Sequence, residues 1–126
     1  MASTILVVED DLDCRTVLAD LLELSGYAVA AFGDAALALE AARRSPPDLA
    51  MVDLNLPGRD GAWLVQALRE GGAPLSTMPV VLTTGSADAR GVARSLGVHP
   101  LEKPFDAGHL LDLLDTLLRA RAALPR

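Results

Sequence analysis

The 126-residue chain predicts an α/β fold: one doubly wound sheet of five parallel strands with crossover helices on both faces. Three observations carry that expectation. Short apolar runs without polar alternation recur at residues 4–8, 27–32, 49–52, 80–83 and 98–101, the pattern of strands buried on both faces. Each run is followed by a polar turn and then by a segment with helical spacing, so β and α alternate five times. The composition, 51% hydrophobic with only 3% aromatic residues, describes one aliphatic core of Leu, Val and Ala. A chain of this length buries roughly two-thirds of its unfolded surface as a single domain.

Taken in order, the first strand, TILVV, leads into a helix whose stripe is Cys14, Val17, Leu18 and Leu21, with Gly26 at its C-terminal end. The second strand leads to a helix capped by Asp34 and stopped by Ser45-Pro46-Pro47. The third strand, LAMV, precedes a helix marked by Leu64, Val65 and Leu68 and closed by Gly71-Gly72-Ala73-Pro74. A fourth helix from about Ala87 to Leu96 has the weakest signal, because Gly91 within it costs roughly 1 kcal/mol relative to alanine. Gly97 closes it. The last helix carries Leu110, Leu111, Leu114, Leu117 and Leu118. Residues 1–122 form the domain and 123–126 a short tail.

The charge balance narrows the function. A formal charge of −6 with no basic cluster argues against direct binding to nucleic acid, which requires grouped cations. No apolar run approaches the ~20 residues that span a bilayer. The N-terminus MASTILVV has neither the basic segment nor the cleavage site of a secretory signal, so a cytoplasmic protein without membrane contact is expected. Cys14 is the single cysteine, and with two histidines it completes neither a disulfide nor a zinc site. It is expected as a small buried residue.

In an open α/β sheet, ligands gather at the carboxyl ends of the strands, near the point where strand order reverses. Glu9, Asp10, Asp53, Thr84 and Lys103 all fall just past predicted strands. Carboxylates about 5 Å apart repel by roughly 3 kcal/mol at an effective dielectric near 20, so their convergence calls for a cation. Magnesium is the expected one, since it takes oxygen ligands and is usually held by one or two carboxylates plus a phosphate. Asp53, at the end of a buried strand and before LNLPGRDG, is a candidate nucleophile. Lys103 is the only lysine beside ten arginines. Its ammonium is a point charge suited to one phosphoryl oxygen or one carboxylate, whereas arginine favours a flat bidentate partner.

The ordered series VVEDD, VDLNLPGRDG, VVLTTGS and LEKPF resembles the receiver domain of two-component response regulators over essentially the whole chain, which implies a flavodoxin-like fold. The resemblance implies that Asp53 accepts a phosphoryl group from the phosphohistidine of a sensor histidine kinase or a histidine phosphotransfer protein. It implies magnesium at Glu9, Asp10 and Asp53, with the Asn55 backbone carbonyl as a further ligand. Thr84 corresponds to the hydroxyl residue that turns toward the phosphoryl group, and Lys103 to the lysine that pairs with it. Asp11 is the helix-capping neighbour. Such a domain catalyses its own phosphoryl transfer and dephosphorylation, and passes its signal to a downstream protein target, alone, as a homodimer or as part of a longer regulator or hybrid kinase.

One departure stands out. The aromatic residue that in many receivers swings with the threonine corresponds to Pro100, with His99 beside it. Trp63 lies off its helix stripe and is expected to be partly exposed, and Leu113 likewise leaves the inward stripe of the last helix, where it suggests a partner face. Flavin binding is disfavoured because EDDLD repels phosphate. A haloacid-type phosphatase is disfavoured because Asn55 stands where its second acid belongs. The remaining alternative is a receiver-like interaction module that is not phosphorylated.

Overall fold

The computed structural model describes residues 2–85 and 89–123. Its elements alternate as expected: β1 (Thr4–Val8), α1 (Leu12–Leu24), β2 (Ala28–Phe32), α2 (Ala35–Arg44), β3 (Leu49–Asp53), α3 (Gly61–Glu70), β4 (Val80–Thr84), α4 (Ala89–Leu96), β5 (His99–Glu102) and α5 (Ala107–Ala122). A 3-10 turn at Leu75–Thr77, which the sequence did not signal, lies between α3 and β4. The five strands form one parallel sheet in the order β2-β1-β3-β4-β5. Strand order therefore reverses between β1 and β3, and the crevice beyond their carboxyl ends is where such sheets bind ligands.

The sheet separates two aliphatic cores. Leu6, Val8, Ala50, Val52, Val80 and Leu82 pack with α2, α3 and Ala93 of α4 on one face. Ile5, Val7, Leu49, Met51 and Val81 pack with Leu22 of α1 and Leu110 and Leu114 of α5 on the other. Alternate residues of the inner strands β1, β3 and β4 thus serve opposite faces, which is why those runs are apolar. The edge strands β2 and β5, expected to be buried on both faces, are instead half-buried or exposed apart from Leu101, because each has a neighbouring strand on one side only. The edge strand β5 accommodates Pro100, where a missing backbone donor costs little.

Among the described residues, aspartates start α1, α2, α3 and α5. Asp11, Asp34, Asp60 and Asp106 accept from the backbone N–H groups of Asp13, Leu37, Trp63 and His109 at 3.1, 2.9, 2.8 and 3.0 Å. Part of the negative charge is therefore spent on capping helix N-termini. The first predicted residues of the fourth helix, Ala87 and Asp88, lie outside the described residues.

Two expectations are corrected here. Cys14 is exposed, and Val17 is 69% exposed, because α1 presents only Leu22 fully to the core. Leu113 is not a free apolar residue: it is half-buried against the core that α5 shares with α1. Trp63 is partly buried, packed against the opposite core, with the Arg59 guanidinium 4.8 Å from its ring centroid.

Candidate functional site

Three strand ends deliver the site. Asp53 is the last residue of β3, and its register partner on β4 is Thr83. Glu9 follows β1 directly and is anchored by its N–H, which donates to the Phe32 carbonyl at 3.0 Å. Lys103 follows β5, and its N–H donates to the Thr84 carbonyl at 2.8 Å. Glu9 and Asp53 are buried, each only 6% exposed, whereas Asp10 is exposed at the rim.

The Lys103 ammonium donates to Glu9 Oε1 at 2.6 Å and to Asp53 Oδ2 at 3.2 Å. Each acid holds its second oxygen through the backbone: the Asp11 N–H donates to Glu9 Oε2 at 3.4 Å, and the Asn55 N–H to Asp53 Oδ1 at 3.2 Å. Among the described residues the other ion pairs, Arg44 with Glu40 and Arg119 with Asp115, are exposed helix pairs that contribute little. The buried pairing is thus concentrated at one place.

Burial works against the Lys103 charge, but hydrogen bonds and charges from Glu9 and Asp53 outweigh it and raise its pKa above the ordinary value of 10.5. The stabilisation from this raised value is complete at neutral pH and is lost as pH climbs from the ordinary lysine range through the folded-state value. In metal-free buffer the wild type is expected to lose thermal stability over that alkaline window more steeply than Lys103→Met, which has nothing to titrate. Superposable alkaline profiles for the two proteins would refute this.

Oxygens of Glu9, Asp10 and Asp53 lie within 4.8 Å of one another. Three carboxylates facing one ammonium leave the cluster with surplus negative charge, and every donor is a hard oxygen. That donor set fits magnesium and suits softer transition metals poorly. Thr84 is fully buried at the end of β4, and Asn55 is exposed in the loop after β3. The structure thus brings Glu9, Asp10, Asp53 and Lys103 together and sets Thr84 and Asn55 on the adjoining strand end and loop.

The family profile for the response regulator receiver domain matches residues 5–115. The chain belongs to that family. Among relatives, the transcriptional regulatory protein CseB of Streptomyces avermitilis is 36% identical over 118 residues, which cover 91% of this chain and 48% of CseB. This receiver domain thus spans about half the length of that regulator. Among solved structures, the chemotaxis protein CheY4 of Vibrio cholerae superposes with a TM-score of 0.85 at 26% identity, covering 93% of this chain and 99% of that one. The receiver domain of the sensor histidine kinase PA1611 from Pseudomonas aeruginosa, solved with magnesium in its active-site cleft, gives 0.85 at 27% identity over 94% and 99% of the two chains. Receiver domains are phosphoacceptor modules of two-component signalling that work with histidine kinases, and the family binds magnesium in its active site.

Several neighbours of the receiver site escaped the sequence reading. Arg15, in the first turn of α1, donates from Nη1 to the Glu9 carbonyl at 2.8 Å, and nothing distinguishes it in sequence from other helical arginines. Thr83, rather than Thr84, lines an apolar groove of about 640 Å³ between α1 and the loop after β5, along with Val17, Leu18, Leu21 and Phe105. Glu9 and Lys103 also line this groove. Cys14 stands at its edge with its thiol donating to Asp11 Oδ2 at 3.1 Å. That hydrogen bond raises the thiol pKa, so the exposed cysteine stays protonated at neutral pH. No helix among the described residues is long and apolar enough to cross a membrane.

Proposed function

We propose that Asp53 is the phosphoryl acceptor of this receiver domain, with magnesium held by Glu9, Asp10, Asp53 and the backbone carbonyl of Asn55. The observation that carries the reading is the convergence of carboxylates from two strand ends upon Lys103, which bonds both Glu9 and Asp53. An Asp53 carboxylate oxygen attacks phosphorus in line. The O–P bond forms as the N–P bond of a phosphohistidine breaks, and the imidazole nitrogen departs with that electron pair. Bound magnesium would offset the charge on the phosphoryl oxygens in a loose transition state. Lys103, already held over the site, shifts from the Asp53 oxygen to a phosphoryl oxygen, and the Asn55 N–H keeps the acceptor carboxylate oriented. The domain thereby assists its own modification and, with water as the attacking group, its reversal.

The donor is a sensor histidine kinase or a histidine phosphotransfer protein. A donor helix laid in the apolar groove beside α1 would cover Val17, Leu18 and Phe105 and bring its histidine to the groove's end, where Glu9 and Lys103 lie. The acquired charge of about −1.5 to −2 is answered by Lys103 and by the Thr84 hydroxyl, which must turn toward it. Because Pro100 has no ring to follow Thr84, the change passes to α4 and the β5 edge, where a downstream protein or a second copy docks. Residues 1–122 form this working unit, in keeping with the end of α5 at Ala122; the expected tail at 123–126 lies, from residue 124 on, outside the described residues. The charge of −6 leaves DNA contact to other parts of any longer regulator.

Incubating the protein with acetyl phosphate and magnesium tests the reading by intact mass. One phosphoryl adduct, dependent on magnesium and labile to hydroxylamine as an acyl phosphate is, is the expected result. A protein left unmodified by both acetyl phosphate and a cognate kinase would be an interaction module instead.

A further inference from the structure

The acid pair after β1 has a support that lies outside the receiver motifs. Arg15 Nη1 donates to the Glu9 carbonyl at 2.8 Å and approaches the Asp10 carbonyl at 3.5 Å. Among the described residues Arg15 makes no ion pair, so its guanidinium serves the backbone of the two acids and leaves their carboxylates free to point at the cation site. The room for that guanidinium comes from the loop after β2. A Cβ built on Gly33 would sit 2.5 Å from Arg15 Nη1 and 3.4 Å from its Cζ, with the Glu9 carbonyl oxygen next at 3.7 Å. The end of β2, just before that loop, holds the acid pair as well, through the Glu9 N–H to the Phe32 carbonyl at 3.0 Å.

We propose that Arg15, seated in the space Gly33 leaves open, is a positioning residue that braces the Glu9–Asp10 backbone and pre-assembles the magnesium site. Adjacent carboxylates repel one another and Asp53, so a loop carrying them relaxes away from the convergent arrangement unless something holds its backbone. A charge-assisted hydrogen bond from a guanidinium to the carbonyl between them does so without neutralising the ligands. Groups that orient metal ligands in this way typically change metal affinity by about 10- to 100-fold when removed. The clash at Gly33 is with the far end of a flexible side chain, so Gly33→Ala is expected to keep the fold while evicting the guanidinium from its seat.

The inference rests on the metal reading above, and the experiment separates the two. Magnesium affinity of the full chain is measured by titration calorimetry, alongside the melting temperature in chelator. Arg15→Ala and Gly33→Ala are each expected to weaken magnesium binding about tenfold with the metal-free melting temperature nearly unchanged. The double variant should be no weaker than either single one, because both remove the same brace. Arg15→Lys, which keeps one donor, should recover part of the affinity. Wild-type affinity in both single variants overturns the brace and leaves the metal site standing. So does multiplication of the two losses in the double variant, or a fall in metal-free stability with affinity intact. A wild type that binds no magnesium overturns both readings.

Discussion

Asp53→Asn is expected to take up no phosphoryl group from acetyl phosphate under conditions that label the wild type fully. The amide keeps the shape and the hydrogen-bond acceptor, but its oxygen is a poor nucleophile and cannot carry the acyl phosphate. The same change should cost no metal-free stability. At an effective dielectric near 20, unit charges 4.8 Å apart repel by roughly 3.5 kcal/mol, a figure that applies to Asp53 against buried Glu9 and is screened against exposed Asp10. The opposing attraction to Lys103, whose side chain is 32% exposed, is of similar size and likewise screened. Removing the charge also removes the desolvation of a carboxylate whose side chain is 7% exposed. The variant should therefore melt at or above the wild-type temperature in chelator, and its gain on adding magnesium should shrink. Full labelling of Asp53→Asn would move the acceptor elsewhere, and a large loss of metal-free stability would mean that the Lys103 pairing is structural first.

How much the sequence disclosed depended on which forces are local. The inner strands were legible because a strand buried on both faces needs an apolar run, as in LAMV and VVL, and all five residues of β3 and of β4, including the polar ones at their ends, are buried. The site was legible because its acids and its lysine fall at strand ends, where the topology alone brings them together. The stripe of α1 misled for a physical reason: periodicity marks a face but cannot say whether a second helix covers it. Here α1 leaves Cys14 and Val17 on the groove beside the β5–α5 loop. Arg15 was invisible because its partners are carbonyl oxygens, which every residue has. The 3-10 turn at Leu75–Thr77 was hidden behind Gly71-Gly72-Ala73-Pro74, which signals a break in α3 but not the conformation of the residues after it. Arg69 fastens that segment by donating to the Met78 carbonyl at 2.6 Å, another side-chain-to-backbone contact that leaves no trace in the sequence.

Gly61→Ala is expected to damage fold and chemistry together, in contrast to Gly33→Ala. Gly61 is buried at the first position of α3, and its N–H donates to the Leu54 carbonyl at 3.0 Å. A Cβ there would lie 2.8 Å from Leu54 Cα and 3.0 Å from the Asp53 carbonyl carbon, and closer still to the Asp53 carbonyl oxygen. These are backbone atoms at the end of β3, so no side chain can swing aside. Either α3 withdraws from the sheet, opening the core around Leu64 and Leu68, or the Asp53–Leu54 backbone moves and carries the acceptor with it. Overpacking of this kind costs about 1–3 kcal/mol, which for a domain of this size lowers the melting temperature by roughly 4 °C per kcal/mol. A misplacement of the reacting group by about 1 Å can slow a positioned reaction by roughly 100-fold. The expected outcome is thus a protein that still folds at 25 °C, melts several degrees early and is phosphorylated by acetyl phosphate much more slowly even where it is fully folded. Wild-type labelling kinetics in a destabilised Gly61→Ala would show that α3 yields and Asp53 does not. Unchanged stability and kinetics together would mean that the tight contact between α3 and the end of β3 does not exist in solution.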